Sequence, residues 1–214
     1  MKSLRVLITA GPTREMLDPV RFLSNVSTGE MGYQLARAAR KKGWRVTLVS
    51  GPTALPRPKG IRFVSVVSAG EMERAVKLYF PKHDVLIMTA AVCDYTPLQR
   101  SRQKIKRVHR KTVHFKRTGD ILKSVTAHKG NRFVVGFCLE TEDLVQNAIR
   151  KLRGKRLDLM VANQYDVRHN PFGRNKASVL LIDRSLRRTV LPHFSKKQIA
   201  RRLLDLISRR TEAG

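Results

Sequence analysis

The stretch that decides the fold is residues 5–40, RVLITAGPTREMLDPVRFLSNVSTGEMGYQLARAAR. Its apolar start, residues 6–8, is typical of a buried strand, and a helical pattern of Leu and Ala begins at Met31. A long loop rich in Gly, Ser, Thr and Asn lies between them. In an open α/β sheet such a loop follows the carboxyl end of a strand, where ligands bind, and its N–H groups suit an anion. Many α/β proteins begin this way without binding a nucleotide, so the pattern alone leaves that question open.

The rest of the chain predicts an α/β fold, a Rossmann-like and mostly parallel sheet with helices on both faces. A capping box, Ser68 with Glu71, marks the start of one helix. Residues 178–182 and 189–191 predict a late antiparallel pair. The expected strands are 44–50, 61–66, 84–89, 132–137 and 158–163, and the expected later helices are 120–125, 142–152 and 195–210.

Residues 96–118 break this pattern because they are basic and polar, with short alternating pieces such as Lys104-Ile105-Lys106. They predict a β-hairpin arm that leaves the sheet. There is no internal repeat and no low-complexity linker. We therefore expect a single domain over residues 1–214 that contains this arm.

The charge is unusual, with 44 Lys and Arg against 16 Asp and Glu and a net of +28. Such an excess is typical of proteins that bind nucleic acid or anionic surfaces. However, the basic residues are spread along the chain, and aromatic residues make up only 6%, which leaves little material for base stacking. A proteome-wide basic bias, or attraction of small polyanions such as nucleotides, would produce the same composition.

The expected cellular compartment follows from two kinds of segment, membrane spans and signal peptides, for which the sequence shows no pattern. No apolar run reaches the length of a membrane span, and the N-terminus passes into a strand without a signal-peptide pattern. We expect a cytoplasmic protein with no membrane contact. Cys93 and Cys138 lack metal-ligand spacing and are expected to be reduced and structural.

Familiar nucleotide and metal motifs are missing. The sequence has no Walker loop, no G-x-G-x-x-G and no Cys/His cluster with metal spacing. Histidine supplies no clear catalytic base, and we expect all six to be exposed surface residues. They are His83, His109, His114, His128, His169 and His193.

Polar residues after predicted strands and in loops are the candidates for chemistry. Asp94 could hold a ribose hydroxyl or Mg²⁺, or cap a turn. Asn25 could contact an acyl oxygen or an amine, although Asn is also a common turn residue. Lys104 could neutralise charge on a phosphate, or be one solvated lysine among many.

A second group follows in the later half of the chain. Phe137 could stack on a base or belong to the core. Lys151 and Lys155 are four residues apart and could hold phosphates together. Glu140 and Glu142 are interpreted equally well as charges at a helix cap.

With these residues in place, the chain resembles the phosphopantothenoylcysteine synthetases, the second half of the bifunctional coenzyme A biosynthesis flavoprotein. The motifs come in the family order and reach nearly from end to end, and DPVRF-x-SN-x-S-x-G is the most specific of them. The segments that carry the resemblance are ITAGPTRE at 8–15, DPVRFLSNVSTGEMG at 18–32, VTLVSGPT at 46–53, AAVCDY at 90–95, KIKR at 104–107, GDIL at 119–122, VGFCLETE at 135–142 and KLRGKRLDLMVAN at 151–163.

The resemblance implies a ligase that joins 4'-phosphopantothenate to L-cysteine with CTP and Mg²⁺. CTP activates the carboxylate as an acyl-cytidylate with release of pyrophosphate, and cysteine's amine then displaces CMP. Asn25 matches the residue that orients the acyl intermediate, and Lys104 matches the lysine of an arm that closes over the reacting phosphate. Lys104 also belongs to the implied nucleotide-binding set, whose other members are Met88, Thr89, Ala90, Asp94, Gly119, Asp120, Ile121, Leu122, Phe137, Lys151 and Lys155.

The resemblance also implies a homodimer in which the arm of one subunit completes the site of the other. The flavin-dependent decarboxylase half is not in this sequence, so no flavin is expected on this chain. Either a separate decarboxylase is an expected partner, or the chain is a fragment of a longer protein. Asp94 is the candidate metal ligand. The family more usually has Lys at Glu30, Ala at Cys93, Ala-Ala at Cys138-Leu139 and Pro at Gly119. The last three positions are close to the base pocket that the resemblance implies. These differences therefore bear on the choice between CTP and ATP more than on the type of reaction.

Two other classes of function remain to be weighed. A non-catalytic nucleotide- or nucleic-acid-binding protein on the same fold is suggested by the net charge of +28. A dinucleotide oxidoreductase is disfavoured because the glycine fingerprint and its distal acidic residue are missing.

Overall fold

The computed structural model describes residues 3–165 and 176–212. Its centre is an eight-stranded sheet in the order β12-β11-β10-β9-β6-β1-β4-β5. The six strands from β10 to β5 in that order are parallel, and β11 and β12 are antiparallel additions at one edge. The strands of this sheet are β1 (Arg5–Ala10), β4 (Arg45–Ser50), β5 (Arg62–Ser65), β6 (Val85–Met88), β9 (Phe133–Glu140), β10 (Leu159–Gln164), β11 (Ala177–Asp183) and β12 (Arg188–Phe194).

Helices cover both faces of the sheet. Helices α1 and α5 pack against one hydrophobic cluster, and α2, α3 and α4 pack against a second cluster on the other face. Strand β1 divides its side chains between the two clusters, since Val6 and Ile8 belong to one and Leu7 to the other, as a fully buried strand requires. The helices are α1 (Glu30–Lys41), α2 (Ala69–Tyr79), α3 (Ile121–Thr126), α4 (Leu144–Gly154) and α5 (Lys196–Glu212).

The predicted fold class is confirmed, and so are the antiparallel pair and the terminal helix. Ser68 caps α2 by accepting a hydrogen bond from the N–H of Glu71 at 3.2 Å. The carboxylate of Glu71 accepts from the N–H of Val67 at 2.8 Å, one residue before the position that a capping box would use.

The loop after β1 contains a hairpin that the sequence did not predict. Strands β2 (Arg14–Met16) and β3 (Phe22–Ser24) pair antiparallel. Each has only three residues, too few for an alternating pattern to stand out. Glu15 in β2 is buried, and its carboxylate accepts from the N–H of Ala69 at 2.7 Å, which ties the hairpin to the start of α2.

The predicted arm has a short ladder at its base. Strands β7 (Tyr95–Pro97) and β8 (Phe115–Arg117) pair antiparallel and form no part of the large sheet. The residues between them, 98–114, form no strand, so the alternation at Lys104-Ile105-Lys106 does not mark one. The arm is therefore an irregular loop on a three-residue base.

The expectation for histidine is wrong at His83. This residue is buried, and its ring nitrogens contact the carbonyl oxygen of Tyr79 at 2.6 Å and Oγ1 of Thr47 at 2.9 Å. Burial lowers its pKa below the ordinary value, because the charged form is the one that loses water. His109, His114, His128 and His193 are exposed as expected, and His169 lies outside the described residues.

Two further observations concern the cysteines and the helices. Within the residues described, Cys93 and Cys138 are free, and Cys93 is buried. No helix in that part of the chain is long and apolar enough to cross a membrane.

Candidate active site

The carboxyl ends of the parallel strands border a cavity of about 1110 Å³. It opens where the strand order reverses, since β4 lies on one side of β1 and β6 lies on the other. This reversal is the place where open α/β sheets bind ligands. The cavity walls come from the loop after β3, the start of α1, the ends of β6, β9 and β10, and parts of α3, α4 and α5.

The start of α1 forms one wall. Gly29 precedes the helix in the left-handed region, with φ of 79°, which favours glycine. Gly32 lies so close to the sheet that a Cβ there would be 2.5 Å from the Cβ of Ala10 and 2.7 Å from Oγ1 of Thr89. The sequence thus brings the helix N-terminus directly against the ends of β1 and β6, where its N–H groups favour an anion.

Asn25 stands at the entrance to this wall. It is exposed, lines the cavity, and donates from Nδ2 to the carbonyl oxygen of Ala91 at 3.0 Å. This bond fixes the plane of the Asn25 amide. Among the described residues, none donates a hydrogen bond to Oδ1 of Asn25. The side chain can therefore accept a hydrogen bond from an amine or other donor placed in the cavity.

The end of β6 forms the floor of the cavity. The hydroxyl of Thr89 donates to the carbonyl oxygen of Thr9 at 2.6 Å, and the N–H of Ala90 donates to Oγ1 of Thr9 at 3.1 Å. These bonds hold the ends of β1 and β6 together. Met88 and Asp94 line the same floor, and Asp94 is exposed.

The opposite wall carries two lysines that are both paired with carboxylates. Nζ of Lys151 lies 2.6 Å from Glu140, and Nζ of Lys155 lies 3.0 Å from Asp120. Glu140 is the last residue of β9 and pairs with a lysine, so its interpretation as a helix-cap charge is wrong. Asp120 does cap α3, accepting from the N–H of Lys123 at 3.0 Å. A bound phosphate would meet two cations already held in place by neighbouring acids.

Phe137 and Cys138 stand between these walls. Phe137 is half-buried, with part of its ring against the core and part on the cavity. Burial raises the pKa of Cys138 to about 12, and the nearby charge of Glu140 acts in the same direction. Its thiol therefore stays protonated near neutral pH and is a weak nucleophile.

Asp94, the predicted metal ligand, is one of three carboxylates in the described part of the chain that line the cavity, with Glu30 and Asp120. No group of three or more His, Cys, Asp or Glu side chains within residues 3–165 and 176–212 could hold a metal. Mg²⁺ is usually held by one or two carboxylates together with substrate phosphates. Asp94, exposed on the cavity floor, fits that role because its carboxylate is accessible to a ligand's phosphates.

All of the predicted site residues line this single cavity except Lys104. Lys104 is exposed on the arm, and its neighbour Ile105 is bonded to the turn of the β2–β3 hairpin. The structure thus brings the predicted nucleotide-binding residues and Asn25 together, and holds Lys104 elsewhere. The roles assigned to them stay predictions.

Comparison with known proteins places this arrangement in a family. The profile of the DNA/pantothenate metabolism flavoprotein C-terminal domain matches residues 1–210. The chain belongs to this family. Its relatives include the coenzyme A biosynthesis bifunctional protein CoaBC of Bacillus subtilis (strain 168), 42% identical over 210 residues, which are 97% of this chain and 52% of that protein. CoaBC of Vibrio vulnificus (strain YJ016) is 45% identical over 180 residues, 82% of this chain and 45% of that protein.

The chain therefore spans about half the length of the curated relatives it matches. Among solved structures, the C-terminal domain of CoaBC has 37% identity and a TM-score of 0.85, with 100% of this chain and 98% of that chain covered. A Cab2 variant in complex with phosphopantothenate-cysteine has 17% identity and a TM-score of 0.77, covering 98% of this chain and 87% of that one. At that identity the likeness shows the fold alone.

Several lining residues of this flavoprotein C-terminal domain were missed by sequence reasoning. Lys196, in the first turn of α5, lines the cavity. Burial lowers the pKa of this lysine below its ordinary value, and the nearby charge of Glu30 offsets only part of that effect. Nothing in the basic run around it distinguishes this lysine. Asn163 could have been found, because it ends the predicted strand 158–163. The missed residues with polar side chains include Ser27, Thr28, Glu30, Tyr95, Arg117, Thr118, Thr141, Asn163, Tyr165 and Lys196.

Proposed function

We propose that this chain is a phosphopantothenate–cysteine ligase acting in coenzyme A biosynthesis. The observation that carries the proposal is that one cavity at the strand-order reversal gathers Asn25 and the whole predicted nucleotide-binding set other than Lys104. Membership of the family over residues 1–210 supports it. The likeness in fold to the C-terminal domain of CoaBC, at 37% identity over the full chain, supports it too.

The proposed reaction has two steps. The carboxylate of 4'-phosphopantothenate attacks the α-phosphorus of CTP, and pyrophosphate leaves to give an acyl-cytidylate. The amine of L-cysteine then attacks the acyl carbon, and CMP leaves with the bonding electrons. Activation is needed because a free carboxylate is a poor electrophile until one of its oxygens becomes part of a leaving group.

The residues of the cavity suit these steps. Lys151 and Lys155 offset the repulsion between the carboxylate and the polyphosphate. Asp94, together with substrate phosphates, would hold Mg²⁺, which supplies further neutralisation of phosphate charge. Asn25 accepts from the attacking amine or orients the acyl group, since Nδ2 is already fixed by Ala91. To contact the reacting phosphate, the side chain of Lys104 must reach into a cavity from its position on the arm.

We further propose a homodimer in which the arm of one subunit serves the cavity of the other. Lys104 lies outside the lining of its own chain's cavity, which supports action on a second copy. The β2–β3 hairpin, the loop after it and the arm also expose an unusual number of large apolar side chains, as an interface does. These are Val20, Phe22, Leu23, Val26, Tyr95, Leu98, Val108 and Phe115.

CTP is the proposed nucleotide rather than ATP. Cys138 and Leu139 line the cavity beside Phe137, at positions where smaller side chains are usual in the synthetases that this chain resembles. CTP is proposed because it is the nucleotide that the resemblance implies, and these two positions lie close to the implied base pocket, so the assay compares CTP with ATP directly. We also propose that residues 1–214 act as one synthetase domain in the cytoplasm, that these residues bind no flavin, and that a decarboxylase uses the product.

The test is a direct assay of the purified chain with phosphopantothenate, L-cysteine, Mg²⁺ and either CTP or ATP. We expect release of pyrophosphate and formation of phosphopantothenoylcysteine, faster with CTP. Omission of cysteine should leave at most one turnover of pyrophosphate per site. Absence of pyrophosphate with both nucleotides would refute the ligase.

A second candidate function, binding of nucleic acid without catalysis, has one observation in its favour. Residues 98–117 of the arm carry nine Lys and Arg and no Asp or Glu. Tight, salt-sensitive binding of a mixed-sequence oligonucleotide, in a protein without ligase activity, would favour this alternative.

A further inference from the structure

Asp18 is a fully buried carboxylate in the turn between β2 and β3. Its Oδ1 accepts hydrogen bonds from the backbone N–H groups of Val20 and Arg21, both at 2.9 Å. These two bonds shape the turn itself. Its Oδ2 accepts from Nε of Arg21 at 2.9 Å, and Nη2 of the same guanidinium lies 2.7 Å away.

The remaining bond to Asp18 comes from the arm. The N–H of Ile105 donates to Oδ2 at 3.1 Å, across 87 positions of sequence. Nη2 of Arg21 donates to the carbonyl oxygen of Ile105 at 2.6 Å. Both backbone polar groups of one arm residue are therefore held by one ion pair, which we call the Asp18–Arg21 clasp. A second tether runs from the N–H of Ser101 to the carbonyl oxygen of Leu17 at 2.9 Å.

The carboxylate in this clasp stays charged. Burial by itself raises the pKa of Asp18, but the hydrogen bonds from Val20, Ile105 and Arg21 outweigh burial and bring it to about 2. At neutral pH Asp18 is therefore charged, and its hydrogen bonds to the arm are charge-assisted.

The clasp connects the two residues predicted to be catalytic. Ile105 follows Lys104 directly, so fixing both of its polar groups fixes the peptide that carries Lys104. On the other side, β3 runs from the clasped turn to Ser24, and Asn25 is the next residue. The hairpin therefore joins Lys104 and Asn25 through a short and well-bonded unit, while the side chain of Lys104 remains exposed.

We propose that Asp18 is a positioning residue for catalysis, which acts through Ile105 to hold Lys104 in the place from which it reaches the reacting phosphate. This rests on the proposed ligase function. Small displacements of a catalytic group are costly, and loss of about 1 Å in placement can reduce a rate roughly a hundredfold. An inhibitory latch, which would have to open before Lys104 could act, predicts the opposite effect on rate.

The variant Asp18→Asn tests this with little disturbance to the turn. The amide can keep Oδ1 for the backbone N–H groups of Val20 and Arg21 and places NH₂ where Oδ2 received Ile105 and the Arg21 guanidinium. The backbone bonds of the turn therefore survive, and the bonds of Oδ2 to the arm and to the guanidinium are lost. Arg21→Lys is a second variant, which keeps a cation beside Asp18 but loses the fork that reaches Ile105. Asp84→Asn is the matched control, since Asp84 also accepts from the backbone and guanidinium of an arginine, Arg5.

We expect Asp18→Asn to lower kcat about tenfold to a hundredfold while leaving KM and Kd for CTP unchanged. Trypsin should cut within 100–111 faster than in the wild type, with the sites mapped by mass spectrometry. Thermal unfolding should match that of Asp84→Asn, whose kcat stays at the wild-type value. Arg21→Lys should speed cleavage of the arm in the same way.

Different results separate the two hypotheses. A wild-type chain without pyrophosphate release refutes the ligase, and the proposal with it. An active wild type with a normal or raised kcat in Asp18→Asn overturns the positioning role alone. Equal losses in kcat, CTP affinity and thermal stability also overturn it, because they indicate general damage to the fold.

Discussion

Replacement of Gly32 by Ala tests how closely α1 must approach the sheet. A Cβ at this position would lie 2.5 Å from the Cβ of Ala10, 2.7 Å from Oγ1 of Thr89 and 2.9 Å from the carbonyl oxygen of Thr9. Overpacking of this kind costs about 1–3 kcal/mol, and Gly→Ala in a helix returns about 0.4–1 kcal/mol. We therefore expect a net destabilisation of about 1–2 kcal/mol, or roughly 2–8 °C in Tm for a chain of this size.

The matched control is Gly70→Ala in the first turn of α2, where the nearest atom to a Cβ is Nη1 of Arg74 at 3.6 Å. This variant should gain about 0.4–1 kcal/mol. Urea unfolding followed by circular dichroism measures both changes. Since Gly32 sets the position of the helix N-terminus at the cavity, kcat should also fall about tenfold in Gly32→Ala and stay constant in Gly70→Ala. A Gly32→Ala protein as stable as the wild type would refute the argument from close packing.

Further predictions concern the reaction and two titrating groups. Asn25→Asp should release pyrophosphate but form no amide, and normal turnover would remove Asn25 from the mechanism. Lys104→Gln should be inactive with an unchanged fold. When this variant is mixed and refolded with Asn25→Asp, about half of the dimers are heterodimers with one intact site each, so about a quarter of wild-type activity should return. No recovery would argue against an arm that acts across a twofold dimer. At pH 8 about one Cys138 thiol in ten thousand is ionised if its pKa is about 12. Iodoacetamide should therefore modify Cys138 far more slowly in the folded protein than in the urea-unfolded chain. Equal rates of modification would contradict the argument that burial raises this pKa. Because the pKa of His83 is lowered by folding, the unfolded state binds more protons, and stability should fall as pH drops below about 6.5; His83→Gln should flatten the change in Tm between pH 7 and 5.

The sequence was sufficient for the elements with a long or strongly apolar pattern. Strand β6 is buried throughout, and its nearly continuous apolar run predicted a central parallel strand. The capped start of α2 was equally readable. The β2–β3 hairpin was not, because its strands have only three residues each and the bond that ties Glu15 to the start of α2 spans 54 positions of sequence.

The residues of the candidate site also fall into two groups, those that the sequence could bring together and those that it could not. Residues at the ends of parallel strands, such as Asp94 and Phe137, could be grouped from sequence because those ends share one edge of a sheet. The pairing of Lys151 with Glu140 and of Lys155 with Asp120 could not, since it depends on how α4 lies against β9 and α3. Lys196 was missed for a similar reason, as its place at the cavity follows from the packing of α5 on the sheet.

The glycines at the start of α1 restrict how this site can change over evolutionary time. Around Gly29 and Gly32 there is no space for a side chain, so a substitution there moves the helix before it alters the ligand's surroundings. A saturation mutagenesis screen should find these two positions as intolerant as Asn25, although neither supplies a functional group. New specificity would have to arise on the far wall, around Cys138 and Leu139, where the lining is made of replaceable side chains.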